Sequence, residues 1–261
     1  MFLILKLTHH WAGLVWQQQY SKKIEKERSS QEGHVEIEVI LLGRMSYDLA
    51  LQIQKKIHRE VLQNKRKETL LLVEHTHVFT MGRRTESKNL LHSPEFLDQE
   101  GIGLHKIGRG GDITYHGQGQ IVGYPIVNLK RINKKTRTYV ESMEDVFIRL
   151  LRDNFDIDAN KDTGKYTGVW VGDRKITAIG VEIKRYVTMH GFAFNVNTDL
   201  KYFDWIVPCG LDDRGVTSLE VLTGKRQNMD QLFQMVAKYF CEVFELVPTF
   251  RELKDTLEDI E

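Results

Sequence analysis

Two consecutive stretches, residues 175–184 and 187–196, alternate in side-chain size with a period of two, and this constrains the fold more than any other feature of the sequence. A strand turns successive side chains to opposite faces. Thr177, Ile179, Val181 and Ile183 therefore share one face of the first stretch, with Ala178 and Gly180 on the other. In the second, His190, Phe192, Phe194 and Val196 share a face, opposite Gly191 and Ala193. A hairpin turning near Arg185-Tyr186 that pairs Gly180 with Gly191 also aligns Ala178 with Ala193. Four small residues then floor one patch, which admits close approach by a ligand or by a packed helix. Alternation alone does not choose between these occupants.

Around this pair the pattern predicts a strand at 35–42. Ser46 follows, with Leu49, Ile53, Ile57 and Val61 at intervals of four, the mark of a helix with one buried stripe. Residues 68–75 read as a buried strand, 101–107 as a shorter one and 166–171 as another. A second helix is expected to start at a capping box, Thr138-x-x-Glu141, and to carry Val140, Met143, Phe147, Leu150 and Leu151 on one face. A third runs from about Asn228, with Leu232, Val236, Phe240 and Val243 as its stripe. Strands occur in clusters, so the expected class is α+β, with a mixed or mainly antiparallel sheet flanked by helices.

Charge narrows the function. Among 261 residues, 37 are lysine or arginine and 36 are acidic, so no overall field attracts a nucleic acid backbone or an anionic membrane. Residues 1–16 are apolar in patches, but Lys6, His9 and His10 keep them short of the ~18 apolar residues a membrane span needs, and they lack the features of a signal peptide. Residues 1–34 are expected to be a weakly ordered appendage, 35–250 a single domain and 251–261 a polar tail. Gln31-Glu32-Gly33-His34-Val35 fits the translation of a ribosome-binding sequence followed by a GTG start, which makes Val35 the first residue; a native N-terminal arm is the other reading. Two cysteines, outside any zinc pattern, suit a reducing cytoplasm.

The chemistry-bearing residues are few. Gly108-Arg109-Gly110-Gly111-Asp112-Ile113-Thr114-Tyr115-His116-Gly117-Gln118-Gly119-Gln120 holds five glycines in thirteen positions, which implies tight turns and close backbone approach. It matches neither the dinucleotide fingerprint nor the phosphate loop. A structural hairpin and a binding site both fit it, and Arg109, Thr114, Tyr115 and His116 tilt it toward a site. His75 and His77 alternate along a strand, but no carboxylate or thiolate completes a metal shell, so no metal is expected. His190 reads as a packing or hydrogen-bonding residue. Cys209, between Pro208 and Gly210, suits a thiol exposed to a cleft, whereas Cys241 lies in a helical apolar stripe and reads as a small hydrophobe.

These residues resemble a known family, the lipoyl(octanoyl) transferases. The resemblance rests on Arg109-Gly110-Gly111-x-x-Thr114-Tyr115-His116-Gly117-x-Gly119-Gln120, on Lys175-Ile176-x-Ala178-Ile179-Gly180, on His190-Gly191-Phe192-Ala193-x-Asn195-Val196, and on Pro208-Cys209-Gly210. Gln118 stands where the family usually has proline. The resemblance implies a biotin/lipoate ligase-like fold and a cytoplasmic acyltransferase without metal, nucleotide or other cofactor. It implies that Cys209 takes an octanoyl group from octanoyl-acyl carrier protein as a thioester. The group then passes to a lysine of lipoyl domains, in the E2 subunits of 2-oxoacid dehydrogenases and the glycine cleavage H protein. Lys175 would lower the thiol pKa and shuttle protons. The run Arg109, Gly110, Gly111, Asp112, Ile113, Thr114, Tyr115, His116, with Ala178, Ile179, Gly180, Gly191, Phe192 and Ala193, would line the acyl site.

One difficulty accompanies this reading. Strict alternation from Ala178 puts Lys175 on the opposite face from the small patch, so a bulge, or the turn at Gly172-Asp173-Arg174, has to redirect it. Three rival readings stand beside it: an ATP-dependent lipoate ligase, a hydrolase pairing Cys209 with His116, and a non-catalytic lipid-binding module.

Overall fold

The computed structural model describes residues 35–162, 166–207 and 214–253. The expectations for residues 1–34, for Cys209 and for residues 254–261 lie outside the described residues. In chain order the elements are β1 (Val35–Met45), α1 (Tyr47–Leu62), β2 (Glu68–His75), β3 (Val78–Met81), α2 (Pro94–Gln99), β4 (Gly103–Lys106), β5 (Thr114–His116) and β6 (Gln120–Ile126). There follow α3 (Thr136–Phe155), β7 (Asn160–Lys161), β8 (Gly168–Val171), β9 (Arg174–Lys184), β10 (Val187–Asn195), α4 (Leu219–Thr223), α5 (Met229–Phe244) and β11 (Leu246–Arg251). Short 3-10 turns lie at Ser87–Asn89 and Leu200–Trp205.

The alternating stretches form the predicted hairpin in the predicted register. Gly191 pairs with Gly180 and Ala193 with Ala178. Arg185 and Tyr186 make the two-residue turn, both at positive φ (48° and 70°), the conformation whose twist matches that of the strands it joins. This hairpin sits inside an eight-stranded mixed sheet of order β11-β1-β2-β6-β10-β9-β8-β7. The pairs of β1 with β11 and with β2 are parallel, and the other ladders are antiparallel. Both margins are blunt: β7 is two residues long, and β11 carries Pro248. A second sheet, β4-β3-β5, stands beside the first.

Apolar periodicity explains the layers. One face of the large sheet, including Leu70, Leu72, Ile121, Phe192 and Phe194, packs under α3 and α5 through Met143, Phe147, Leu150, Val236 and Phe240. The other face receives α1 through Ala50, Ile53, Ile57 and Val61. Ser46 caps α1, accepting from the Leu49 N–H. Leu49 itself leaves the stripe and is 38% exposed. Intervals of four drift around a helix of 3.6 residues per turn, and Ala50 takes its place. The capping box at Thr138 does not form. The N-cap of α3 lies three residues earlier, at Lys135, which gives no side-chain cap, and Glu141 pairs with Arg137 at 2.8 Å. Cys241 is buried in α5, and burial pushes its thiol pKa up, as expected of a structural cysteine. No helix of the described residues is long and apolar enough to cross a membrane.

Candidate active site

Directly paired residues of neighbouring strands share a face, so the register reads out one side of the sheet. It carries Gln120, Val122 and Tyr124 from β6, Gly191, Ala193 and Asn195 from β10, and Ala178 and Gly180 from β9. A cavity of about 490 Å³ opens on this side. Of the residues expected to line an acyl site, Arg109, Gly110, Gly111, Asp112, Ile113, Thr114, His116, Ala178, Ile179, Gly180, Gly191, Phe192 and Ala193 all line it, and so does Lys175, expected as a catalytic residue. Tyr115 does not. It turns into the third apolar cluster beside Phe79 and Phe203, with its hydroxyl 2.6 Å from His77 Nδ1. The strand β5 puts Tyr115 on the face opposite Thr114 and His116, which is what alternation dictates.

Lys175 reaches this face through a bulge. Val169 pairs with Thr177 but Trp170 pairs with Lys175, so Ile176 is an extra residue with no counterpart on β8. The insertion reverses the alternation and brings Lys175 to the side of Trp170 and Ala178. Its Nζ donates to Thr167 O at 3.2 Å and lies 4.7 Å from the centre of the Trp170 ring. The Arg214 guanidinium sits over the same ring at 3.7 Å and pairs with Asp162 at 2.7 Å. The backbone of Lys175 is held by the segment that follows Cys209: Lys175 N–H donates to Gly215 O and Thr217 N–H to Lys175 O, both at 3.0 Å. On the other side of Cys209, Val207 N–H donates to Asn89 O at 2.8 Å.

The glycine-rich loop covers the far part of the patch. Gly110 N–H donates to Val181 O at 2.9 Å, which draws the loop across β9. A Cβ on Gly180 would stand 2.9 Å from Gly110 O and 3.2 Å from Arg109 Cδ, so the glycine is what permits the crossing. Gly191 has a different cause. Its Cβ would meet Gly123 O at 2.3 Å and Pro125 Cδ at 2.5 Å, both on the adjacent strand. The two glycines of the patch thus accommodate a loop and a neighbouring strand, while Ala178 and Ala193 line the cavity.

A chain of buried hydrogen bonds ties the loop to the lysine. Arg109 is 7% exposed, and its guanidinium donates to Thr80 O at 2.6 Å and to Thr80 Oγ1 at 2.9 Å. His116 places Nε2 3.3 Å from Thr80 Oγ1 and Nδ1 2.8 Å from Gln120 Oε1. Gln120 Nε2 donates to Asn195 Oδ1 at 2.9 Å, and Asn195 Nδ2 donates to Thr217 O at 3.1 Å. Thr217 leads back to Lys175.

The imidazoles here are kept neutral. Burial pushes His116 down to about 3, and the neighbouring His75 adds to the effect. Burial likewise lowers His75 to about 4 and His190 to about 3, the latter with help from the Arg109 charge. His75 and His77 do not face one site: His75 contacts Met45 O and the Tyr124 hydroxyl, while His77 meets Tyr115. Among the described residues no group of three or more histidine, cysteine or carboxylate side chains is placed to hold a metal. Tyr47, Val122 and Tyr124 also line the cavity and escaped the sequence reading, because an aromatic or β-branched residue in a helix or strand reads as core. Alternation along β6 was the available signal.

The family model for the lipoyl protein ligase A/B catalytic domain matches residues 46–241. An octanoyltransferase of Caldicellulosiruptor saccharolyticus is 48% identical over 226 residues, covering 87% of this chain and 96% of the relative. The octanoyltransferase of Caldicellulosiruptor bescii is 51% identical over 208 residues, covering 80% and 91%. A crystal structure of lipoate-protein ligase A bound with ATP superposes with a TM-score of 0.72 at 17% identity, covering 86% of this chain and 92% of that one. A bipartite lipoate protein ligase from Thermoplasma acidophilum, studied with its E2 lipoyl domain, gives a TM-score of 0.69 at 16% identity, covering 87% and 91%. These two likenesses are of fold.

Proposed function

The chain belongs to the lipoyl protein ligase A/B catalytic-domain family, and on that premise we propose that it moves an octanoyl group from octanoyl-acyl carrier protein to a lysine of lipoyl domains through a thioester on Cys209. The observation that carries this reading is the bulge at Ile176. It presents Lys175 to a cavity floored by small residues, while the same lysine is hydrogen-bonded to the chain that continues from Cys209. The relatives at 48% and 51% identity are octanoyltransferases.

The chemistry follows from these groups. A thiol of pKa ~8.5 is a few per cent thiolate at neutral pH, and a neighbouring ammonium raises that fraction. The Cys209 thiolate attacks the donor carbonyl and expels the carrier thiolate, which takes up a proton from the Lys175 ammonium. The amine of the acceptor lysine then attacks the acyl-enzyme, giving an amide and returning the Cys209 thiolate, with neutral Lys175 receiving the amine proton. An amide is more stable than a thioester, so the sequence needs no nucleotide. Burial of about seven methylene-sized units contributes roughly 5 kcal/mol toward holding the acyl chain.

The same geometry speaks against the hydrolase reading. Both ring nitrogens of His116 are engaged, and its low pKa makes it a weak base for a thiol. The deciding experiment is intact mass after mixing with octanoyl carrier protein. The expected result is a single octanoyl adduct that hydroxylamine removes and that Cys209→Ala lacks. An unmodified enzyme that instead labels a lipoyl domain from free octanoate and ATP would establish the ligase reading.

A further inference from the structure

We propose that Glu144 is a positioning residue for the transfer: its carboxylate holds and polarises the single peptide group whose carbonyl binds the Lys175 ammonium. The inference rests on the reading above, in which Lys175 gives up and takes back the proton.

A carboxylate at this place calls for a physical reason. Glu144 lies on the inward side of α3, one turn beyond Val140, which lines the cavity, and one turn before Ile148, which packs on the core. It is 6% exposed, and burying a carboxylate is costly unless it is hydrogen-bonded. Burial raises its pKa, the Gly168 amide and the Lys161 charge oppose the rise, and Asp145 and Glu141 add to it. Gly168 N–H, at the start of β8, donates to Glu144 Oε1 at 3.0 Å.

The other end of that same peptide meets the lysine. Thr167 O, on the carbon bonded to the Gly168 nitrogen, accepts from Lys175 Nζ at 3.2 Å. In a trans peptide N–H and C=O point in opposite directions. The carboxylate therefore stands at the positive end of one peptide dipole and the ammonium at its negative end, about 9 Å apart or less. Two hydrogen bonds joined through one amide strengthen each other. Gly168 permits the arrangement. Its φ is 137°, and a Cβ there would stand 2.5 Å from Thr177 O and 3.3 Å from Lys175 Cδ and Cε, so the lysine stem lies against bare backbone.

Glu144 thus directs Lys175 Nζ and favours its charged form. Other ionisable groups surround the pair. Arg214 lies over the same Trp170 ring and pairs with Asp162, Lys161 pairs with Asp145 at 2.8 Å, Glu141 is one turn back on α3, and Tyr166 lines the cavity. All of them persist in Glu144→Gln, so a difference from wild type isolates the carboxylate charge.

The test follows acylation by octanoyl carrier protein across pH 6–10, by quenching and intact mass. The ammonium protonates the leaving thiolate, so wild-type acylation should fall at alkaline pH. In Glu144→Gln that alkaline limb should lie about 0.5–1 pH unit lower. A merely structural defect lowers the plateau and leaves the limb in place. Linkage supplies a reciprocal measurement that needs no activity: in Lys175→Met the Glu144 carboxyl midpoint, read by carbon NMR, should rise by a similar amount. An unmoved limb in folded Glu144→Gln overturns the proposal. An unmoved Glu144 midpoint in Lys175→Met overturns it too, even if the first variant does not fold. Either failure leaves octanoyl transfer by wild type intact, whereas a wild type that forms no octanoyl adduct ends the proposed function and this proposal with it.

Discussion

Lys175 and Ala178 face the same side of the sheet although three positions separate them, because Ile176 has no partner on β8. Regular pairing would leave the lysine under α3, away from the cavity. Lys175→Ala should therefore lower kcat by a factor of 10² or more, with a smaller effect on KM, since proton transfer by a positioned group is worth about 10²–10⁴. Steady-state transfer to a lipoyl domain measures this. A variant with near-normal kcat removes Lys175 from the chemistry.

Gly191→Ala places a Cβ where Gly123 O and Pro125 Cδ already stand. The strands have to part, at a cost of about 1–3 kcal/mol. Denaturant unfolding should show the midpoint falling with an unchanged slope. A Gly191→Ala protein of wild-type stability contradicts the close approach of β6 and β10.

Asn195 connects Gln120 to Thr217 and so to the backbone beside Lys175. Asn195→Ala leaves Gln120 Nε2 and Thr217 O each short of a buried partner. We expect a loss of about 1–3 kcal/mol in stability, together with a shift of the acylation pH profile that a purely structural defect would not produce. Urea denaturation reads the first, and quenched acylation followed by intact mass across pH 6–9 reads the second.

Protonation gives a fourth expectation. His75, His116 and His190 have folded-state pKa values of about 4, 3 and 3, below their ordinary 6.5. The unfolded chain binds these protons first, so their contribution to stability is complete above about pH 6.5 and is lost as the pH falls toward 4. The loss is on the order of 2 kcal/mol per imidazole between pH 6.5 and 5. Urea denaturation at the two pH values checks it. His116→Gln should flatten the dependence, and equal slopes in wild type and variant would refute the assignment.

Thiol reactivity separates the two cysteines. Cys241 is buried with its pKa pushed up, so iodoacetamide should modify native protein once, at Cys209. Peptide mapping shows which residue carries the label. Modification of Cys241 in folded protein would mean that α5 opens.

The legible parts of the fold were those with strong periodicity. The β9–β10 register followed from period two, and α5 from its stripe and its Asn228 cap, whose side chain accepts from Gln231 N–H. The central strand β6 was not legible, since it contains Gly123 and Pro125, residues that argue against a strand flanked on both sides. The structure admits them because the ladder between β6 and β10 ends at Gly123, ahead of the proline. The bulge at Ile176 was required by the chemistry rather than visible in the sequence, since a single extra residue leaves no compositional trace. The part of the cavity lined by Tyr47 and His190 was illegible for another reason. Tyr47 comes from α1 and His190 from β10, and only tertiary packing brings them together.

The terse β7 and the proline in β11 have a consequence for the molecule in bulk. A sheet that ends in two residues on one side and in a strand lacking an amide proton on the other presents a poor template to a stray chain. Crowded copies find little to zip onto, so the protein should stay dispersed at concentrations where a long bare margin would seed fibrils.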